Sequence, residues 1–194
     1  MVIIDNCQDK TDEELVALSL TKQDYFLYLI KRYEQKLLYY IKRITNISHE
    51  DAEDILQETF IKVYLNLNGF DQSLKFSSWI YRIAHNEVID NFRKNKSGRE
   101  NTNLNGDDNF IKNLSSDLNL NKELDLKILK TAVHNVLNAM NIKYREVLIL
   151  KFLEEKDYKE ISDILAKPMG TVATLINRAK KQFREEFERL NIKL

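Results

Sequence analysis

Glycine and proline are scarce, at 4 and 1 in 194 residues, against about 14 and 10 at average usage. Turn-rich sandwiches and barrels need both, so their scarcity argues against those folds and for a mostly helical chain. A single cysteine, Cys7, excludes a disulfide framework and a cysteine-rich zinc site. His49, His85 and His134 are scattered without metal-ligand spacing, so neither a metal nor another cofactor is expected. There is no Gly-rich phosphate loop and no nucleophile–base signature, which argues against an enzyme. No run approaches the roughly 18 apolar residues of a membrane span. The opening Met1-Val2-Ile3-Ile4-Asp5 lacks the basic-then-apolar order of a signal peptide. A soluble cytoplasmic protein, not inserted in a membrane, is the expectation.

What is present suffices for packed cores: 43% of residues are apolar and 31% charged, unlike a disordered composition. The net charge is zero, yet its placement is uneven. Residues 1–96 carry net −2, 97–127 net −2 and 128–194 net +4. An acidic front and a basic back suggest different partners for the two halves.

The clearest break is Ser97 to Asn121, SGRENTNLNGDDNFIKNLSSDLNLN, with seven Asn, two Gly and no helical stripe. Such residues favour local hydrogen bonds over a helix interior. The segment reads as a flexible linker between a domain over 1–96 and one over 122–194; the alternative is an ordered surface loop within one domain. The front half begins with Thr11-Asp12-Glu13-Glu14, which has capping-box spacing. Phe26, Leu29, Ile30, Tyr33, Leu37, Tyr40, Ile41 and Ile44 then recur by threes and fours, one long apolar stripe. Ser48 precedes Asp51 by three, a further helix start. Ala52, Ile55, Leu56, Phe60, Val63, Tyr64 and Leu67 form the next core face. After a loop over Asn68 to Lys75, a helix over about Phe76 to Lys96 turns Ile80, Ile83, Ala84, Val88 and Phe92 inward. Trp79 is expected in the core.

The back half is helical too. Leu129, Ala132, Val133, Val136, Leu137 and Met140 mark one helix, and Tyr144, Val147, Leu148 and Phe152 a second. A short helix over Asp157 to Ala166 precedes a break at Lys167-Pro168-Met169-Gly170 and a longer helix from Thr171 to Leu190. That is a helix-turn-helix pattern. The predicted fold class is all-α: two small helical domains, four helices in each, the second ending in the helix-turn-helix. No strand or internal repeat is read.

Three features carry candidate chemistry. In the helix-turn-helix, Ile161, Leu165, Val172 and Ile176 are spaced to pack the two helices together. Pro168 breaks the first helix and suits the start of the second. Thr171, Ala173, Thr174, Asn177 and Arg178 then face outward, with Lys180 and Lys181 beyond them. Small and polar groups for base edges with cations for phosphates suit a major groove; the alternative is a helical hairpin with a solvated basic face. In the front loop, Asp71, Gln72, Ser73, Leu74 and Lys75 lie among aromatics. Arg82, Asn86 and Arg93 recur on one face of the next helix, a combination suited to unstacked bases. Lastly, Asp51, Asp54, Glu58, Ile61, Lys62 and Leu65 lie opposite a core stripe. An acidic face with exposed Ile and Leu fits either a partner helix or plain solvation.

Asp51-Ala52-Glu53-Asp54-Ile55-Leu56-Gln57-Glu58-Thr59-Phe60-Ile61-Lys62-Val63-Tyr64 resembles the most recognisable segment of bacterial sigma factors. So does Phe76-Ser77-Ser78-Trp79-Ile80-Tyr81-Arg82-Ile83-Ala84-His85-Asn86, followed by Asp90 and Arg93. Tyr158-Lys159-Glu160-Ile161-Ser162 through Pro168-Met169-Gly170-Thr171-Val172 is similar to their C-terminal helix-turn-helix. The short two-domain layout resembles the extracytoplasmic-function (ECF) subgroup. The resemblance implies a non-enzymatic subunit that binds core RNA polymerase and directs it to promoter DNA. It implies that Asp51, Asp54, Gln57, Glu58, Ile61 and Lys62 belong to the surface that docks on the clamp helices of the largest polymerase subunit. It further implies that the loop Asp71 to Lys75, with Arg82, Asn86 and Arg93 on the neighbouring helix, takes the −10 element and a flipped base. Pro168, Thr171, Ala173, Thr174, Asn177, Arg178, Lys180 and Lys181 would meet the −35 duplex. An anti-sigma factor, often membrane-anchored, is the implied inhibitor.

The chain departs from that pattern at one place. Many relatives carry a cation-hydroxyl-cation run after the Thr-Val of the recognition helix, whereas here Ala173, Thr174 and Leu175 follow Val172. Duplex affinity is then expected to rest on Arg178, Lys180 and Lys181, or on tethering by polymerase. The rival readings are a stand-alone helix-turn-helix transcriptional regulator and a helical interaction protein that mimics a sigma factor.

Overall fold

The computed structural model describes residues 7–94 and 123–190, the side chains of Gln8 and residues 123–130 excepted. The regular structure among them is helical. The chain divides into two compact units, a front one built mainly on the first stretch and a back one built mainly on the second. The predicted linker, 97–121, lies outside the described residues, as do Lys96 and the Leu129 side chain.

In the front unit, a turn of 3-10 helix at Cys7–Asp9 leads to α1 (Asp12–Thr21), α2 (Phe26–Thr45), α3 (His49–Leu65) and α4 (Phe76–Lys94). Local signals start α1 and α3. The Thr11 hydroxyl accepts from the Glu14 amide at 3.2 Å while the Glu14 carboxylate accepts from the Thr11 amide at 2.7 Å. Ser48 Oγ accepts from the Asp51 amide at 3.1 Å. Each cap satisfies amides that the first helical turn leaves unpaired. Most of the α2 stripe is buried as spaced: Phe26, Leu29, Tyr33, Leu37, Tyr40 and Ile41 lie in the core, and Ile44 is buried near the helix end. Aromatic edges complete it. Tyr40 meets Tyr81 at 5.0 Å and Tyr33 meets Phe76 at 5.6 Å, both edge-on, an arrangement that adds to simple burial.

Several residues expected in the core sit nearer the surface, among them Ile30, Phe60, Ile83 and Phe92, which are half-buried. Tyr64, expected in the core, is 39% exposed; its ring leans on Phe26 at 5.2 Å, so an amphipathic side chain covers the core edge instead of entering it. Trp79 is half-buried, packed on Phe70 at 5.2 Å and Phe76 at 5.7 Å.

A polar tie that no short-range pattern announces binds α1 to α2. Asp12 accepts from Arg32 Nη1 at 2.6 Å and from the Tyr33 hydroxyl. Burial, then the Asp12 carboxylate, push the Tyr33 pKa far up. The α4 N-terminus is likewise closed from a distance, with the Phe76 amide donating to Glu13 Oε1 at 3.2 Å.

The back unit comprises α5 (Glu123–Ala139), α6 (Ile142–Leu148), a π-helical stretch (Ile149–Leu153), α7 (Tyr158–Leu165) and α8 (Met169–Arg189). The second helix expected through Phe152 is therefore short. Beyond Leu148 the ladder widens, with the Glu154 amide reaching Ile149 O at 3.0 Å, and the stretch gives way to Glu155 at φ 52°. Val136, Val147, Ile149, Leu150, Ile161, Val172, Ile176 and Ala179 form the core. Arg145 is buried and donates to the carbonyls of Asn138 and Met140 at 3.0 and 3.2 Å, closing the end of α5. A capping box between Asp157 and Glu160 starts α7. The connecting turn places Ala166 at φ 50°, ψ 46°, a left-handed conformation that costs a non-glycine residue free energy. The turn is closed by the Lys167 amide on Ser162 O at 3.1 Å and by the Ser162 hydroxyl on Lys167 O. Pro168 then caps α8. The helix begins at Met169, two residues before the expected Thr171, because the Thr171 and Val172 amides already bond Pro168 O at 2.8 and 3.0 Å.

Candidate nucleic-acid interface

On α8, successive residues advance by about 100°. Val172, Ile176 and Ala179 are buried, so the opposite face centres on Thr174. Thr171, Thr174, Asn177, Arg178 and Lys181 share it and are all exposed, while Ala173 is half-buried on its flank. Pro168 is exposed at the cap. The cations expected at phosphates already have neighbours. Lys180 Nζ sits 5.4 Å from the Phe152 ring, and Lys181 Nζ lies 3.7 Å from Glu185 on the same helix. Both contacts are weak enough to be exchanged for phosphate. The Thr174 hydroxyl donates to Gly170 O at 2.9 Å.

The front loop is organised by its own first residue. Asp71 Oδ1 accepts from the Ser73 amide at 2.9 Å, and the Leu74 amide bonds Asp71 O at 3.0 Å. This is an Asx-type turn. The bonds from Ser73 hold the Asp71 carboxyl below its ordinary pKa. Gln72, Ser73 and Lys75 are exposed around it, and Leu74 is half-buried. On α4, Asn86 and Arg93 are exposed and Arg82 is half-buried; Arg93 lies 3.4 Å from Asp90.

Along α3, Asp51, Asp54, Gln57, Glu58, Ile61 and Lys62 are all exposed and fall on one side of the helix. Leu65, 70% exposed, and Ile61, 50% exposed, add apolar surface to it. The Asp51 carboxylate accepts from Ser48 Oγ at 2.7 Å. Lys62 pairs with Glu87 of α4, and that carboxylate raises its pKa. Sequence reasoning missed Glu13 and Glu87, which organise this region from other helices and carry no local signature. It also missed the Asp157–Glu160 box, which the three-residue spacing does signal.

Comparison with known proteins bears on these surfaces. The family model for sigma-70 region 2 matches residues 29–98, spanning most of α2, then α3, the loop and α4. That for sigma-70 region 4 matches 130–183, which includes the helix-turn-helix. The ECF RNA polymerase sigma factor SigW of Bacillus subtilis is 35% identical over 181 residues, covering 87% of this chain and 91% of SigW. The chain belongs to the ECF sigma factors. It is accordingly a sigma factor that directs transcription initiation, carrying the two sigma-70 regions in their order along the chain. Among solved structures, CnrH in complex with the cytosolic domain of CnrY matches with a TM-score of 0.67 at 22% identity, over 92% of this chain and 97% of that one. The sigma factor RpoE, in complex with the anti-sigma factor NepR from Bartonella quintana, matches with a TM-score of 0.65 at 19% identity, over 84% and 96%. At those identities the likeness establishes the sigma-factor fold. Among the described residues of this ECF sigma factor, no helix is long and apolar enough to cross a membrane, and no group of His, Cys, Asp and Glu is placed to hold a metal ion.

Proposed function

We propose that the ECF sigma factor divides its work between domains over 1–96 and 122–194. The front domain docks on core RNA polymerase through the α3 face of Asp51, Asp54, Gln57, Glu58, Ile61 and Lys62. The loop Asp71 to Lys75 takes an unstacked −10 base, with Arg82, Asn86 and Arg93 of α4 along the promoter strand. Pocketing an extruded base offsets part of the cost of unstacking and unpairing. The back domain reads the −35 duplex through α8. The chain acts in the cytoplasm and is not an enzyme; the polymerase supplies the chemistry. An anti-sigma factor is its inhibitor, as the complex of the related fold with NepR suggests.

The observation that carries this reading is the α3 face, where exposed Ile61 and Leu65 lie among exposed carboxylates. Solvation alone needs no such apolar surface, whereas a docking helix does. Asp54 and Glu58, one turn apart, would meet cations on the polymerase. The test is in-vitro transcription with purified core polymerase on a genomic promoter library, run beside Asp54→Lys/Glu58→Lys. Wild type should initiate at a discrete promoter set. The double reversal should weaken core binding by about 3 kcal/mol or more if the pairs are desolvated, with native-like circular dichroism. A reversed protein that folds and binds core normally removes α3 from the interface. Tight duplex binding without polymerase-dependent initiation would favour a stand-alone regulator.

A further inference from the structure

The N-terminal part of the outward face of α8 lacks the side chain most used to read guanine. Between Met169 and Asn177 there is no Lys or Arg; Arg178 is the first cation of the helix. A helix-turn-helix contacts base edges with the N-terminal part of its recognition helix, and guanine is read there chiefly by bidentate Arg or Lys. That part of α8 offers instead Thr171, Ala173, Thr174 and Asn177.

Thr174 sits at the centre of the face, and its chemistry is narrowed by the fold. A free threonine hydroxyl accommodates any base edge, because it both donates and accepts. Here the hydroxyl donates to Gly170 O at 2.9 Å, leaving the side chain's methyl as its apolar contribution to the groove. Half-buried Ala173 adds a second methyl beside it. Thymine is the base that presents a methyl in the major groove. One turn on, Asn177 is exposed and engaged by no other described residue. Its amide matches the donor–acceptor pair of adenine.

We propose that α8 reads an A·T-rich −35 core, with Thr174 selecting thymine by methyl-to-methyl contact and Asn177 reading an adenine beside it. This rests on the −35 role of α8 proposed above. It makes Thr174 a specificity-determining residue through its methyl rather than its hydroxyl.

The experiment uses the full chain with core polymerase on promoters whose −35 segment is randomised, followed by single-atom changes at the preferred position. Selected sites should carry a T·A pair at the position that responds to Thr174. Replacing that thymine by deoxyuracil, which removes only the methyl, should lower promoter binding about fourfold, the effect of one buried methyl group. Thr174→Ser, which deletes the methyl and keeps the hydroxyl, should abolish the thymine-over-uracil difference. Thr174→Val, which keeps a methyl and deletes the hydroxyl, should retain it. Initiation with a G·C pair preferred there, or a thymine-over-uracil ratio unchanged by Thr174→Ser, would overturn the inference while leaving the sigma-factor reading intact. Failure of the wild-type holoenzyme to initiate at any site would overturn both.

Discussion

The two units close their helices differently. In the front unit, local caps at Thr11 and Ser48 are joined by ties from afar: Asp12 to Arg32 and Tyr33, Glu13 to the Phe76 amide, and Lys62 to Glu87. In the back unit, most described helix ends are closed by near neighbours, with Arg145 also donating to Ile44 O at 2.9 Å. The near neighbours are Asn141 on the Lys143 amide, Arg145 on Asn138 and Met140, the Asp157–Glu160 box, and Ser162 with Lys167. The difference matches what each surface has to hold still. The start of α4 is tied to α1 through Glu13, and α3 to α4 through Lys62 and Glu87, so the loop proposed to take a base would be positioned before promoter arrives, which lowers the ordering cost of binding. The α8 face is one rigid helix, whose own ladder positions Thr171, Thr174 and Asn177, and it needs only a well-made turn ahead of it.

The sharpest break of this comparison is Asp12→Ala. It removes the acceptor of both Arg32 and Tyr33 and leaves a partly buried guanidinium without its carboxylate. Stability of the front unit should fall by about 2 kcal/mol, since hydrogen bonds to charged groups are the stronger class. For a unit of this size that is a drop of roughly 10 °C in its melting transition. Amide hydrogen exchange should localise the loss to α1 and α2, with the back-unit amides unchanged. Equal loss in both units would erase the distinction.

A smaller effect follows from Tyr33 itself. Its folded pKa is raised by burial and then by Asp12, so the neutral phenol is favoured in the fold. Its contribution is fully present below the unfolded value of about 10 and declines as pH rises beyond it. By pH 11 wild type should have lost about 1 kcal/mol more than Tyr33→Phe, relative to pH 8. Parallel alkaline denaturation curves for the two proteins would show that Tyr33 titrates as an ordinary exposed phenol.

The same contrast explains what was legible in the sequence. Capping boxes and stripes depend on spacings of three and four, so α1, α2, α3 and the helix-turn-helix core were readable, and Val172 and Ile176 face inward as spaced. Exposure of Thr171, Thr174 and Asn177 followed from that core. Asp71 could be placed in the loop but not given its task, because an Asx turn depends on backbone dihedrals. Glu13 and Glu87 lie far in sequence from Phe76 and Lys62, so no local pattern pairs them. The early end of α6 was hidden too: Ile149, Leu150 and Phe152 continue an apolar run that suits a π-helical stretch as well as an α-helix.

The finest test of the back unit is its turn. Ala166 holds a left-handed backbone at φ 50°, which costs an L-residue about 1–2 kcal/mol. Asn46 also has a positive φ, 55°, which Asn adopts more readily. Ala166→Gly removes the Cβ that disfavours this conformation, while the glycine's freer unfolded chain returns about 0.4–1 kcal/mol of the gain. The net expectation is a stabilisation of about 0.5 kcal/mol, read as slower hydrogen exchange in α7 and α8 and unchanged exchange in α1 to α4. Ala166→Val should act in the opposite direction and more strongly, because a β-branched residue tolerates positive φ least. If back-unit stability rests on local turn chemistry, these two substitutions bracket wild type in that order. If both are neutral, the turn is held by the packing of Ile161, Leu165, Val172 and Ile176, and the local bonds at Ser162 and Lys167 only follow it.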